Sequence, residues 1–333
     1  MIKFGTSWSG LQMLECIDIY CGAGGLSLGL SQAGLDVRAA VDASADCKTT
    51  YEANIPNVRF HQRQLEELRS DDLMADIMNP RQFVLAGGPP CQLFSKLNRN
   101  SKDEPHGLKP YIAMVRKTKP AYVVFENVPA IKRRERAWKY LVSSLRRLGY
   151  FVSFGVLNAL DFGIAQQRQR MIVLAARNEI DLPSGTAKRV STVRDAIGKF
   201  PKDNPRLTNH DGMTLSPENL KRIRTLKPGE SSRQKDSSFC DSYARMSWDQ
   251  PAPTITTKCI SFSNGRFGHP RYDRALTIRE AAVLQGFPVG FKFYGSLWSR
   301  ARQVGNAVPP PIARALGMAI IAHASRCNDR TAA

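Results

Sequence analysis

The amino-acid sequence predicts an α/β protein: a doubly wound, mostly parallel sheet with a second, smaller, loop-rich domain. Three observations carry this expectation. Short apolar runs alternate with helical patterns from residue 15 to 176, the order that builds parallel sheets. Asp42, Cys91 and Glu126, far apart in the chain, each fall at the carboxyl end of a predicted strand. Open α/β sheets bind their ligands at that edge. From about residue 178 to 275, prolines, serines and irregular runs replace the periodicity.

The elements follow in order. Glu15–Cys21 is an apolar strand running into glycines, and Leu26–Gln32 begins a helix. Val37–Val41 is a strand ending at Asp42, and Ser44 caps a helix reaching Asn54, serine being a preferred N-cap. Phe83–Ala86 is a third strand leading into Gly87-Gly88-Pro89-Pro90-Cys91. Tyr122–Phe125 is a fourth, ending at Glu126; Phe151–Val156 and Met171–Ala175 supply two more. Helical pattern returns at Thr277–Leu284 and at Ile312–Ser325, the latter apolar enough to pack on the first domain. The expected limits are 13–177 for the first domain, completed by the C-terminal helix 300–326, and 178–290 for the second.

The chain has 333 residues, 42% of them hydrophobic, enough for a sizeable core, and a formal net charge of +19. Such a balance points to a polyanionic partner, nucleic acid first and an acidic membrane second. Lys132–Arg136 is the densest basic run, equally readable as a solvated helix face. No stretch approaches the roughly 18–20 apolar residues of a membrane span, and the first residues lack a signal-peptide pattern. A cytoplasmic protein without a membrane partner is therefore expected. The seven cysteines are odd in number and form no C-x-x-C pair, which argues against a disulfide framework or a metal site.

Four motifs sit on this frame. In Asp18-Ile19-Tyr20-Cys21-Gly22-Ala23-Gly24-Gly25 a strand enters closely spaced glycines, which lets a ligand approach the backbone. Ser27 stands where the dehydrogenase fingerprint needs its third glycine, so the turn suits a nucleoside without a pyrophosphate. Asp42, closing the next strand, is placed to take ribose hydroxyls. In Gly88-Pro89-Pro90-Cys91-Gln92-Leu93-Phe94-Ser95 two prolines set the backbone before a cysteine. A lone cysteine is more often a small buried hydrophobe, but here its surroundings form loops at the ligand edge. Glu126-Asn127-Val128 offers a carboxylate able to hydrogen-bond or protonate a bound base. In Gln166-Gln167-Arg168-Gln169-Arg170 two arginines alternate before an apolar strand, suited to a phosphate or a carbonyl oxygen.

In this order and at this spacing the motifs resemble those of cytosine-5 DNA methyltransferases. Arg279-Glu280-x-Ala282-x-Leu284-Gln285-x-Phe287-Pro288 and Gln303-Val304-Gly305-Asn306-Ala307-Val308-Pro309 look like that family's last two blocks, so the resemblance spans residue 15 to about 320. It implies a Rossmann-like methyltransferase domain that uses S-adenosylmethionine and flips a cytosine out of double-stranded DNA. By the same resemblance Cys91 is the nucleophile, Glu126 holds the ring nitrogen and amine, Arg170 binds the base carbonyl, and Arg168 supports that site or a nearby phosphate. Tyr20, Gly22, Gly24, Gly25, Asp42, Gln64, Pro90 and Asn306 are the implied cofactor residues. Tyr20 replaces the usual phenylalanine, Asp42 the more common glutamate, and Gln64 a frequent aspartate. Residues 178–275 are the implied target-recognition region. Gln92, Ser95, Arg222, Arg224, Arg233 and Arg245 are expected on DNA, with Lys227 and Lys235 further candidates. A monomer is expected, with a restriction endonuclease as a possible partner in a restriction-modification system. A transfer-RNA methyltransferase on the same scaffold is the second reading, but its Cys-Phe-Thr insertion is not visible. A catalytically silent DNA-binding regulator is the third, and the presence of Cys91 and Glu126 argues against it.

Overall fold

The first apolar run forms β1 (Glu15–Ile19), buried along its whole length, as a strand covered on both faces must be. α1 (Gly25–Ala33) follows the glycine turn and ends at Gly34, whose φ of +108° suits only glycine comfortably. β2 (Asp36–Val41) leads to α2 (Ala45–Asn54), and the Ser44 hydroxyl caps that helix by accepting from the Cys47 amide. β3 (Arg59–His61) and α3 (Ser70–Met74) precede β4 (Phe83–Gly87). α4 (Lys109–Thr118), β5 (Tyr122–Asn127) and α5 (Glu135–Arg147) follow, then β6 (Phe151–Asn158) and β7 (Gln169–Ala176). This computed structural model describes residues 13–90, 106–202, 206–232 and 242–332.

The seven strands form one sheet in the order β3-β2-β1-β4-β5-β7-β6. β1 pairs in parallel with β2 and β4, β2 with β3, and β4 with β5, whereas β7 is antiparallel to β5. The chain moves outward from β1 to β3 and then returns to β4, so the order reverses between β1 and β4. The core on one face joins Ile17, Ile19, Leu85, Val123 and Phe125 to Tyr111, Ile112, Leu141 and Leu145 of α4 and α5. β3 is absent from the sequence expectation because three residues are too short to show alternation.

The chain divides into two units. The sheet unit comprises 1–157, 169–184 and 312–333, so it includes most of α10 (Pro310–Ala332). The other comprises 158–168 and 185–311. It therefore takes in a short segment before β7 and the last helix before Pro310, which the sequence limits had assigned to the first domain. Its helices are α6 (Val193–Ile197), α7 (Pro217–Arg224), α8 (Ile278–Leu284) and α9 (Leu297–Asn306). Thr192, Ser216, Thr277 and Ser296 cap them in turn with their side chains. Buried polar clamps hold this unit together. Arg279 donates to the carbonyls of Thr208 and Phe291, and Glu280 accepts both terminal nitrogens of Arg274. Among the described residues no helix is long and apolar enough to cross a membrane.

Candidate active site

The reversal between β1 and β4 places the turns after β1, β2, β4 and β5 along one carboxyl edge, where such sheets bind ligands. Tyr20, Gly22 and Gly24 all adopt left-handed backbone in the turn after β1, with φ of +60°, +55° and +88°. A methyl group at Gly24 would stand 2.6 Å from Ile55 Cδ1, so the turn lies too close to α2 for any side chain. Gly22, in contrast, has nothing within 4 Å of the Cβ position. Its side of the turn is open.

Two carboxylates support this turn. The fully buried Asp18 accepts from the Ser27 amide at 3.1 Å and the Ser27 hydroxyl at 2.6 Å, and Tyr51 donates to Ser27 at 2.7 Å. Its other oxygen is buried with no hydrogen-bond partner among the described residues, and burial raises its pKa to about 7. Asp42 accepts from the Gly22 amide at 3.0 Å and the Ser44 amide at 2.9 Å; burial raises its pKa too. An ionised carboxylate keeps further lone pairs after two such bonds. Open backbone at Gly22, an oriented carboxylate at Asp42 and the aromatic ring of Tyr20 together fit a nucleoside. Burial, followed by the Glu66 charge, pushes the Tyr20 hydroxyl pKa upward. Gly25 begins α1, and Gln64 is exposed just beyond β3, its side chain making no capping bond.

The end of β4 is set by close backbone approach. A methyl group at Gly87 would overlap the Ile19 carbonyl, and one at Gly88 would lie 3.0 Å from Glu126 Oε2. The buried Asn127 donates to the Pro89 carbonyl at 3.0 Å and so ties the Pro89-Pro90 step to the end of β5. Pro90 is exposed. Cys91, Gln92 and Ser95 lie outside the described residues.

The antiparallel register of β5 on β7 sets Asn127 opposite Met171 and brings Arg170 beside Glu126. Arg170 Nε is 2.9 Å from Glu126 Oε1, with only 13% and 10% of the two side chains exposed. The two form a close, largely buried ion pair, and Arg170 Nη1 also donates to the Gln169 carbonyl at 2.7 Å. An acceptor and a planar donor fork thus stand together at the ligand edge, next to the Gly88 backbone. That combination suits a heteroaromatic ring presenting donors and acceptors on one side.

Other expected site residues have different surroundings. Arg168 is fully buried and donates to the Ile255 carbonyl (2.8 Å), the Gly305 carbonyl (2.8 Å) and the Ala307 carbonyl (3.1 Å). Its expected part was to support the base site or a nearby phosphate, and its fork holds three protein carbonyls. Asn306 is exposed at the end of α9 in the second unit. Arg222 lies over the Tyr243 ring at 4.1 Å, and Arg224 is 3.4 Å from Asp273 and largely exposed. Arg245 is buried, donates to the carbonyls of Ile223, His269 and Tyr272, and pairs with Asp273. The expectation that it contacts DNA is corrected on that ground. Arg233 and Lys235 lie outside the described residues. The buried hydrogen-bond network of Asp18, Ser27 and Tyr51 and the positioning contact of Asn127 had no counterpart in the sequence expectations. A charged residue inside the apolar run of β1 was the signal for the first of them. Among the described residues no group of His, Cys, Asp and Glu is arranged to hold a metal ion.

The family profile described as C-5 cytosine-specific DNA methylase matches residues 14–322. The Type II methylase M.HgiDII of Herpetosiphon aurantiacus is 35% identical, over 91% of this chain and 94% of its own length. The Type II methyltransferase M1.HphI of Haemophilus parahaemolyticus is also 35% identical, over 92% and 87%. Among solved structures, a putative DNA modification methyltransferase from an Escherichia coli prophage superposes with a TM-score of 0.77. It covers 94% of this chain and 99% of the other at 23% identity, which speaks for the fold alone.

Proposed function

The chain belongs to the C-5 cytosine-specific DNA methylase family, and from that premise we propose how its own residues carry out the reaction. It is a DNA (cytosine-5-)-methyltransferase, and its methyl donor is S-adenosylmethionine. The donor supplies a methyl group activated by a sulfonium. The glycine turn after β1 would hold it, with Asp42 for the ribose, Tyr20 for the adenine, and Gln64, Pro90 and Asn306 as the further residues proposed for its binding.

In this reading the target cytosine leaves the duplex stack, because neither face of a stacked base is open to a nucleophile. The Cys91 thiolate adds to carbon 6. Glu126 holds ring nitrogen 3 and the exocyclic amine, and its proton neutralises the charge that the addition would place on nitrogen 3. Arg170 donates to the base carbonyl. The ring then carries enamine character at carbon 5, which accepts the methyl group. Loss of the carbon-5 proton to water, cleavage of the carbon–sulfur bond and return of the nitrogen-3 proton to Glu126 restore the ring, the thiolate and the carboxylic acid. Covalent activation is needed because carbon 5 of cytosine is otherwise a poor nucleophile. Arg168 acts only as a positioning clamp.

The observation that carries this reading is the Glu126–Arg170 pair, at 2.9 Å, against the Gly88 backbone that leads to Cys91. The relatives' designation as Type II methylases supports a place as the modification half of a restriction-modification system. We assign a monomer acting on duplex DNA in the cytoplasm, with a cognate endonuclease as its partner in that system. The test is transfer of labelled methyl groups to duplex DNA of mixed sequence, with Cys91→Ser as control and RNA as competitor. Incorporation into DNA that the control abolishes is expected. Incorporation into RNA alone, or an active Cys91→Ser protein, would overturn the reading.

A further inference from the structure

The reaction leaves unused a ridge of cations on the sheet unit. Between Lys109 and Leu148 the only carboxylates are Glu126, paired with Arg170, and Glu135. In the same unit Arg38 is neutralised by Glu15 and Asp36, Arg59 by Asp76, and Arg69 by Asp71. Among the described residues, Lys132, Arg133 and Lys139 form no ion pair with a carboxylate.

Packing sets the direction of these side chains. Ile131 is buried beneath the turn at Pro129–Arg133, leaving Lys132 and Arg133 exposed. α5 buries Ala137, Leu141 and Leu145, which leaves Lys139 in solvent. The ridge is also held in place. Lys132 Nζ lies 5.6 Å from the centre of the Phe154 ring, and Trp138 packs edge-on against that ring at 4.9 Å. Helix stability does not account for the placement. Lys132 and Arg133 precede α5 and Lys139 lies beyond its first turn, outside the reach of its dipole.

We infer that Lys132, Arg133 and Lys139 form a phosphate-binding ridge that grips duplex DNA flanking the target, independently of base sequence. The inference rests on duplex DNA being the substrate. Phosphate contacts position a protein without specifying sequence, so the ridge adds affinity for long DNA and none for a particular site.

The test measures binding by fluorescence anisotropy to duplexes of about 12 and about 40 base pairs across a salt series, since each phosphate contact contributes about 0.9 to the salt slope. The proteins are wild type, the Lys132→Ala/Arg133→Ala/Lys139→Ala variant, and the charge-retaining Lys132→Arg/Lys139→Arg variant. The alanine variant is expected to lose about 2–3 from the slope on the long duplex and most of the preference for long over short. Loss should be equal on unrelated sequences, and the charge-retaining variant should bind as wild type. Undiminished affinity for S-adenosylmethionine shows that the variants are folded. A wild-type slope and length preference in the alanine variant would overturn the ridge. Absence of methyl transfer by the wild-type protein would instead refute the catalytic reading, since the binding readout does not depend on it.

Discussion

Replacing Gly88 by alanine adds one methyl group behind the proposed catalytic carboxylate. Gly88 is not among the residues with positive φ, so alanine meets no backbone penalty there. Its methyl would stand 3.0 Å from Glu126 Oε2 and 3.1 Å from the Glu126 carbonyl oxygen, whereas ordinary contact begins at 3.4 Å. Relief therefore requires a shift of about 0.4 Å in the carboxylate, the Arg170 fork, or both. A misplacement of about 1 Å can cost about a hundredfold in rate, so a roughly tenfold fall in kcat is expected. Overpacking of this kind costs about 1–3 kcal/mol of stability, and the partly open site favours the lower end. The assay is single-turnover methyl transfer alongside denaturant unfolding. The paired control is Gly87→Ala, whose methyl would overlap the rigid Ile19 backbone and should destabilise the protein far more. A Gly88→Ala protein with the wild-type rate would refute the claim that Glu126 works from its position against this backbone.

The remaining predictions separate binding, folding and chemistry. Arg168→Lys should lower stability by about 2–4 kcal/mol, because buried carbonyls lose their fork, read as a shift in the urea midpoint. Arg170→Lys keeps a cation at Glu126 and should instead lower kcat about a hundredfold with little change in that midpoint. Asp18, an acid whose pKa burial raises from 3.8 to about 7, stabilises the fold in its protonated form. Wild type should therefore lose stability relative to Asp18→Asn as pH rises from about 4 to about 7, by at most about 4 kcal/mol, and the difference should be flat above that range. Thermal unfolding across pH checks the sign: a loss on acidification would contradict it.

Much of the sheet unit is legible in the sequence because its strands are buried on both faces and read as apolar runs. Ser44 announces α2, and Asp42 and Glu126 mark strand ends that the register then brings to one edge. The antiparallel placement of β7 is not legible, since no local pattern encodes direction, yet it is what sets Arg170 beside Glu126. Arg168 and Arg170 look alike in sequence, two residues apart. Arg170 lies within β7 and reaches the edge, whereas Arg168 precedes the strand and turns into the interior of the second unit. Arg245 was misread for a related reason: residue type gives charge but not burial. Its partners come from two separate stretches, Ile223 and the run from His269 to Asp273. The short helices α6 and α7 owe their ends to caps at Thr192 and Ser216, but too few apolar residues repeat within them to show a period.

The central claim is that Cys91 forms the covalent bond to the target base. Duplex DNA containing 5-fluorocytosine, incubated with the protein and S-adenosylmethionine, tests it most directly, because fluorine at carbon 5 blocks the final elimination. A stable protein–DNA adduct whose peptide mass maps to Cys91, and which is absent from the Cys91→Ser variant, is expected. An adduct on another residue, or none while the same protein methylates ordinary duplex DNA, would contradict it.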